Sequence, residues 1–154
     1  MLIITLYKYY NNKFIMLSPK RTKYRKSFKH DPRRGSVKYN GFNFGSFGLK
    51  TLEKGRITNK QIESARRAIT RKMKREGRLW IHIFPHIPVT SKPTEVRMGK
   101  GKGSLSYWTS IVKEGKLLFE IDGISKELAK QALTYGAGKL PLKTKFVTKT
   151  DYFI

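Results

Sequence analysis

The 154-residue sequence predicts an α+β fold, with two main helices on an antiparallel or mixed sheet behind a basic N-terminal extension. Three observations predict it. Apolar residues recur at helical spacing over 58–76 and again after 125. They alternate, as in strands, over 79–84, 106–122 and 143–148. The elements run strands, helix, strands, helix, strand, with no long βαβ alternation and no internal repeat, which favours α+β over a parallel doubly wound sheet. The division expected is a basic extension at 1–40 and one globular domain at 41–154.

In chain order, residues 1–15 (MLIITLYKYYNNKFI) come first. Their apolar start is short, lacks a basic leader and has no small-residue cleavage site. The segment also lacks the Arg and Ser of an organellar transit peptide, so neither kind of targeting signal is expected. A basic, aromatic tail rarely orders alone, and a partner is expected to hold it. Residues 16–40 form a basic arm in which Lys20, Arg21, Lys23, Arg25, Lys26, Lys29, Arg33 and Arg34 face one acid, Asp31, with Tyr24 and Phe28 interleaved. Residues 41–55 alternate Phe42, Phe44 and Phe47 with small residues. They read as a strand with glycine bulges whose rings anchor the core rather than stack on bases.

The helix at 58–76 carries its own punctuation. Thr58 and Gln61 fit a capping box, Lys74 and Arg75 suit the negative end of the dipole, and Gly77 suits a left-handed close. Ile62, Ala65, Ile69 and Met73 make an apolar stripe, which is core. Arg67, Arg71 and Lys74, flanked by Arg66 and Lys72, make a basic one, and few acids stand near to pair with it. A strand follows at 79–84, then a connection stiffened by Pro85, Pro88 and Pro93, a short strand at 94–98 and the loop 99–103. Residues 106–122 read as a hairpin turning at Glu114 and Gly115. Ser125 is the expected cap of a second helix bearing Leu128, Ala129, Ala132 and Leu133, and 143–148 is the last strand.

Charge narrows the function. There are 34 Lys and Arg against 10 Asp and Glu, a formal net charge of +24. Such a chain repels itself over a screening length of about 8 Å, and a polyanion relieves that repulsion. With no Cys there is no disulfide framework and no thiolate metal site. No uncharged apolar run of about 18 residues is present, so no membrane insertion is expected. The three histidines are His30, His82 and His86. The last two are four apart but not on a helix, so they need not converge on a metal. Glu120 and Asp122 share one side of a strand, but in so basic a chain they are expected to pair with Lys or Arg. No nucleophile with a base in reach emerges, and neither an enzyme nor a cofactor is expected.

The sharpest feature is the loop Arg97, Met98, Gly99, Lys100, Gly101, Lys102, Gly103. Glycines let the backbone approach a phosphate, and the lysines supply charge. The spacing fits neither a Walker A loop nor a dinucleotide fingerprint. Alone, a Gly-Lys loop is a weak signal. Beside the basic arm and the basic helix stripe it reads as a third RNA contact. The rival readings are a free-standing RNA enzyme or chaperone, for which no catalytic constellation is visible, and a cationic membrane-surface protein. The second needs a broader apolar helix face than 58–76 offers.

Three stretches, MLSPKRTKYRK at 16–26, KREGRLWIHIFP at 74–85 and RMGKGKGSLSYW at 97–108, resemble bacterial-type large-subunit ribosomal protein number sixteen, whose eukaryotic cytosolic counterpart is number ten. The resemblance covers about 16–150, and the third stretch is highly specific. GSFGLK, TNKQIESARRAITRKMKR and LPLKTKFVTK add to it. His82 stands where the family usually has Arg or Lys, and His86 where an acid is common. Residues 1–15 lie outside the usual bacterial pattern, and 30–43 diverge. The resemblance implies a structural role in the large subunit beneath the central protuberance, bound to large-subunit rRNA and beside neighbouring ribosomal proteins, with help in late assembly. It implies that the loop at 97–103 reaches toward tRNA acceptor ends on the A-site side of the peptidyl transferase centre. Lys20, Arg21, Lys23, Arg25 and Lys26 are then rRNA anchors, joined by Arg33, Arg34, Arg66, Arg67, Arg71 and Lys74 as expected phosphate contacts. The Lys, Asn, Ile, Tyr and Phe richness, without a transit peptide, leads us to expect a mitochondrial ribosome and an organelle-encoded chain, with a plastid or a bacterial cytoplasm as alternatives.

Overall fold

The computed structural model describes residues 17–28, 31 and 41–150. The elements are β1 (Phe47–Thr51), β2 (Gly55–Thr58), α1 (Asn59–Lys72), β3 (Arg78–Ile81), β4 (Ile87–Ser91), β5 (Ser104–Val112), β6 (Leu117–Asp122), α2 (Lys126–Ala137) and β7 (Thr144–Thr148). They form two sheets, one ordered β3-β6-β1-β7 and one ordered β2-β5-β4. Every strand pairing is antiparallel. The fold is therefore α+β with two main helices, as expected, but with its strands shared between two sheets.

Helix α1 forms where its local signals place it. Thr58 accepts from the backbone N–H of Gln61 at 3.2 Å, and the Gln61 side chain accepts from the Thr58 N–H at 2.9 Å. Both orphan donors of the first turn are thus satisfied reciprocally. Ile62, Ala65, Ile69 and Met73 are buried, so the apolar stripe is core. The helix ends at Lys72, sooner than expected, because Lys74 and Arg75 take positive φ values of 52° and 69°. Gly77 is also left-handed, at φ 71°, and leads into β3. Ser125 caps α2 by position, but its hydroxyl makes no capping hydrogen bond.

The two helices pack closely at Gly136, where a Cβ would fall 2.5 Å from Cγ1 of Ile69. One core joins both helices to both sheets through Leu49, Ile57, Val112, Leu118, Phe119 and Ile121. A smaller cluster of Phe42, Leu117 and Val147 closes the four-stranded sheet from another side. Phe42 is buried and Phe47 stacks on Phe146 at 6.1 Å, which agrees with core anchoring. Phe44, by contrast, is half exposed and stacks on Trp80 at 5.8 Å.

Three expectations are corrected. Residues 106–122 contain a turn at Glu114 and Gly115, but β5 and β6 do not pair; they enter different sheets. The reason is that β6 is buried along Leu117–Ile121 and takes a partner on each edge, β1 and β3. Residues 94–98 form a turn rather than a strand, and the strand of this region is β4. It tolerates Pro88 because β4 lies at a sheet edge, where a missing N–H breaks no ladder. Finally, Glu120 is not shown paired with Lys or Arg. It is fully buried, and its carboxylate accepts from the backbone N–H groups of Asn43 (3.0 Å), Phe44 (2.9 Å) and Gly45 (2.8 Å). His82 Nε2 lies 2.9 Å from Oε1 of Glu120, close enough for an ion pair but without the alignment of a hydrogen bond. Asp122 instead accepts from the Ser46 hydroxyl at 2.9 Å.

Candidate nucleic-acid interface

Strands β4 and β5 form a hairpin whose base packs into the core and whose tip does not. Ile87, Thr109, Ser110 and Val112 are buried near the base, whereas every residue from 91 to 102 is exposed. The tip is the Gly-Lys loop. Gly99, Lys100 and Gly101 all take positive φ, at 95°, 50° and 88°. A Cβ at either glycine would meet nothing within 4 Å, so no packing inside the protein demands a glycine there. The two glycines serve the backbone conformation and leave the peptide open to approach from outside. At Gly103 the reverse holds: a Cβ would lie 2.3 Å from the Ser91 carbonyl oxygen, because the two hairpin strands close on each other here.

Charge sits on this open tip. Arg97, Lys100 and Lys102 are exposed, and Met98 is 99% exposed, an apolar side chain with no cover among the described residues. The Lys92 ammonium bonds to the Gly99 carbonyl across the loop and restrains its opening.

The arm meets the loop directly. Lys26 Nζ donates to the Lys102 carbonyl at 2.7 Å, and Lys102 Nζ donates to the Ser27 carbonyl. Two segments about 75 residues apart are thereby clasped by reciprocal lysine-to-carbonyl bonds. Lys20, Arg21, Lys23, Arg25 and Lys26 are all exposed on the arm, and the Lys23 ammonium lies 5.5 Å from the Tyr24 ring centre. The structure thus unites arm and loop into one cationic surface. Arg33 and Arg34, His30 and the segment 1–15 lie outside the described residues.

The stripe on α1 is differently occupied. Glu63 receives Arg66 at 2.7 Å and Arg67 at 3.0 Å. Burial works against the Glu63 charge, but the hydrogen bonds and charges of the two arginines outweigh it and hold the carboxyl below the ordinary glutamate range. One acid, Glu63, therefore pairs with this stripe, at Arg66 and Arg67. Arg71 and Lys74 are exposed. The helix packs on α2, β2 and β5.

Sequence reasoning missed Lys92 and Trp108. Lys92 follows directly on β4, a strand that Pro88 concealed. Trp108 faces Pro88 in the register of β4 and β5, and that register was hidden by the expected hairpin with β6. Among the described residues no three His, Asp or Glu gather as a metal site, and no helix is long and apolar enough to cross a membrane.

A family model described as ribosomal protein L16p/L10e matches residues 19–147. The large ribosomal subunit protein uL16 of Gluconacetobacter diazotrophicus is 61% identical over 137 residues, covering 87% of this chain and 97% of that protein. The uL16 proteins of Chelativorans sp. (strain BNC1) and Azorhizobium caulinodans are each 58% identical over 137 residues, covering 87% of this chain and 98% of theirs. All three relatives are bacterial, which fits the bacterial alternative and lends nothing to the mitochondrial expectation.

Proposed function

The chain belongs to the ribosomal protein L16p/L10e family, a structural constituent of the large ribosomal subunit rather than an enzyme, and on that premise we propose that the clasped arm and loop bind large-subunit rRNA and border the tRNA path. In this reading Lys20, Arg21, Lys23, Arg25 and Lys26 anchor the arm on phosphates. Arg33 and Arg34 continue that anchor, and Arg66, Arg67, Arg71 and Lys74 add contacts from the helix region. Residues 97–103 extend past the rRNA toward tRNA on the A-site side of the peptidyl transferase centre, and the surrounding surface meets neighbouring ribosomal proteins.

The observation that carries this reading is the reciprocal bond between Lys26 and Lys102. It turns two basic segments into one surface with an open glycine backbone at its tip. Phosphate contacts position such a surface, and the +24 net charge supplies the attraction. For the compartment, the bacterial relatives support a bacterial-type ribosome. Composition alone supports a mitochondrial one, and immunodetection in fractionated source cells separates the two.

The test is sedimentation of the native protein with salt varied. It should travel with large subunits and leave them only under stripping salt, with a log–log slope of roughly 0.7–0.9 per neutralised phosphate. A protein that stays at the top of the gradient in low salt would refute the ribosomal reading.

A further inference from the structure

Between the arm and the β4–β5 hairpin lies a groove of about 1320 Å³. It is wider than the roughly 300–1,000 Å³ of a small-molecule pocket, so a polymer suits it better than a metabolite. Among the described residues, the rings of Tyr24 and Phe28 from the arm and of Trp108 from β5 line it, with the imidazole of His86 beside them. Tyr24 is 70% exposed and Phe28 is 90% exposed. Singly exposed rings are ordinary, but rings grouped along one groove mark an interaction site. Among the described residues, Lys23, Lys26 and Lys102 stand around the same groove with the acid Asp31. Rings interleaved with cations match an unpaired nucleotide, whose base stacks while its phosphates meet ammonium groups.

We propose that this groove receives an unstacked base of single-stranded RNA, held against Trp108 and the arm rings with its flanking phosphates on Lys23, Lys26 and Lys102. The proposal rests on the rRNA-binding reading and adds to it a contact with a base rather than with the phosphate backbone alone. The clasp between Lys26 and Lys102 holds the arm beside the residues that lead into β5, on one wall of the groove. The Lys23 ammonium lies over the Tyr24 ring, 5.5 Å from its centre, so ring and cation stand together at the groove.

The test uses the full-length chain carrying Trp80→Phe. Trp80 and Trp108 are the two tryptophans, so Trp108 alone then reports. A single-stranded hexa-adenylate should quench its emission, whereas inorganic polyphosphate of matched charge should bind without quenching. Trp108→Leu should weaken hexa-adenylate binding about tenfold or more, from the usual loss of one base–aromatic stack. It should leave polyphosphate binding unchanged, and Trp108→Tyr should restore most of the loss, both affinities being read by titration calorimetry because these variants lack the reporter. Equal quenching by polyphosphate, or unchanged hexa-adenylate affinity in Trp108→Leu, overturns the proposal. So does an acidic peptide that quenches as strongly as the oligonucleotide, because the occupant is then a protein segment. Wild-type sedimentation is scored separately. If the protein co-migrates with subunits but no quenching occurs, only the groove fails; if it does not co-migrate, the ribosomal reading fails whatever the groove does.

Discussion

The half of the molecule built on the four-stranded sheet and the two helices differs in kind from the hairpin tip with its arm. In the first, even a carboxylate is enclosed: Glu120 is fully buried and accepts three backbone N–H groups. In the second, residues 91–102 are all exposed, and lysine ammonium groups bond to carbonyls at the surface. The same chain therefore separates two demands. Buried polar groups are driven to find partners inside, since an unmet one costs about 1–3 kcal/mol, and His82 Nε2, close to Glu120 without a hydrogen bond, is the exception among the described side chains. Exposed cations need none for stability and remain available to an outside polyanion. Stability and binding should respond to different substitutions.

The sharpest way to break this comparison is Glu120→Leu. It strips the acceptor from three N–H groups and should cost about 3–5 kcal/mol, within the range for breaking a buried charged network. The thermal midpoint should fall by roughly 10 °C or more. A midpoint within about 2 °C of wild type would show that the enclosed carboxylate does not support the fold. Gly136→Val comes next, because its side chain enters the space of Ile69. Overpacking of this kind costs about 1–3 kcal/mol, readable by urea unfolding. Thr58→Ala removes one side of the capping box and should cost about 1 kcal/mol by the same measurement.

Smaller still is the acid dependence of Glu63. Its carboxyl is held low in the folded chain, so its contribution is complete above the ordinary glutamate range and fades as pH falls through the folded value. Two helix pairs of this type, at three and four residues' spacing on one partly buried carboxylate, contribute less than about 1 kcal/mol together. Glu63→Gln should therefore lie slightly below wild type at neutral pH, with the gap closing as pH falls below the ordinary glutamate range. A gap that widens in acid would reverse the sign. The smallest stability effect belongs to the tip. Replacing Arg97, Lys100 and Lys102 by Ala should change stability by less than about 0.5 kcal/mol. The same variant should lower the salt slope of RNA binding by up to about 2–3 and impair tRNA accommodation. Normal accommodation would count against the loop assignment.

What the sequence disclosed follows from how local each signal is. The capping box of α1 needs residues three apart, and its apolar stripe needs four positions on one helix, so both were legible. The partners of β5 and β6 were not. Adjacency suggested a hairpin, whereas burial of β6 on both edges was decided by β1 and β3, far away in sequence. Glu120 was legible as a carboxylate but not as an acceptor, because its donors come from residues 43–45, about 75 positions earlier. The candidate interface divided in the same way. The Gly-Lys loop and the arm were each visible as basic segments, while Trp108 and Lys92 depended on a strand that Pro88 disguised.

The clasp between Lys26 and Lys102 has a kinetic consequence. An ammonium has three donors, and the clasp uses one from each lysine, leaving two apiece for phosphate oxygens. Arm and loop are thus two binding ends joined at a fixed short span. Once either end is seated on a polyanion, the other is held nearby at high effective concentration, and one end that lets go is recaptured before both have left. Residence time on the polyanion should lengthen through this bivalence without any added contact.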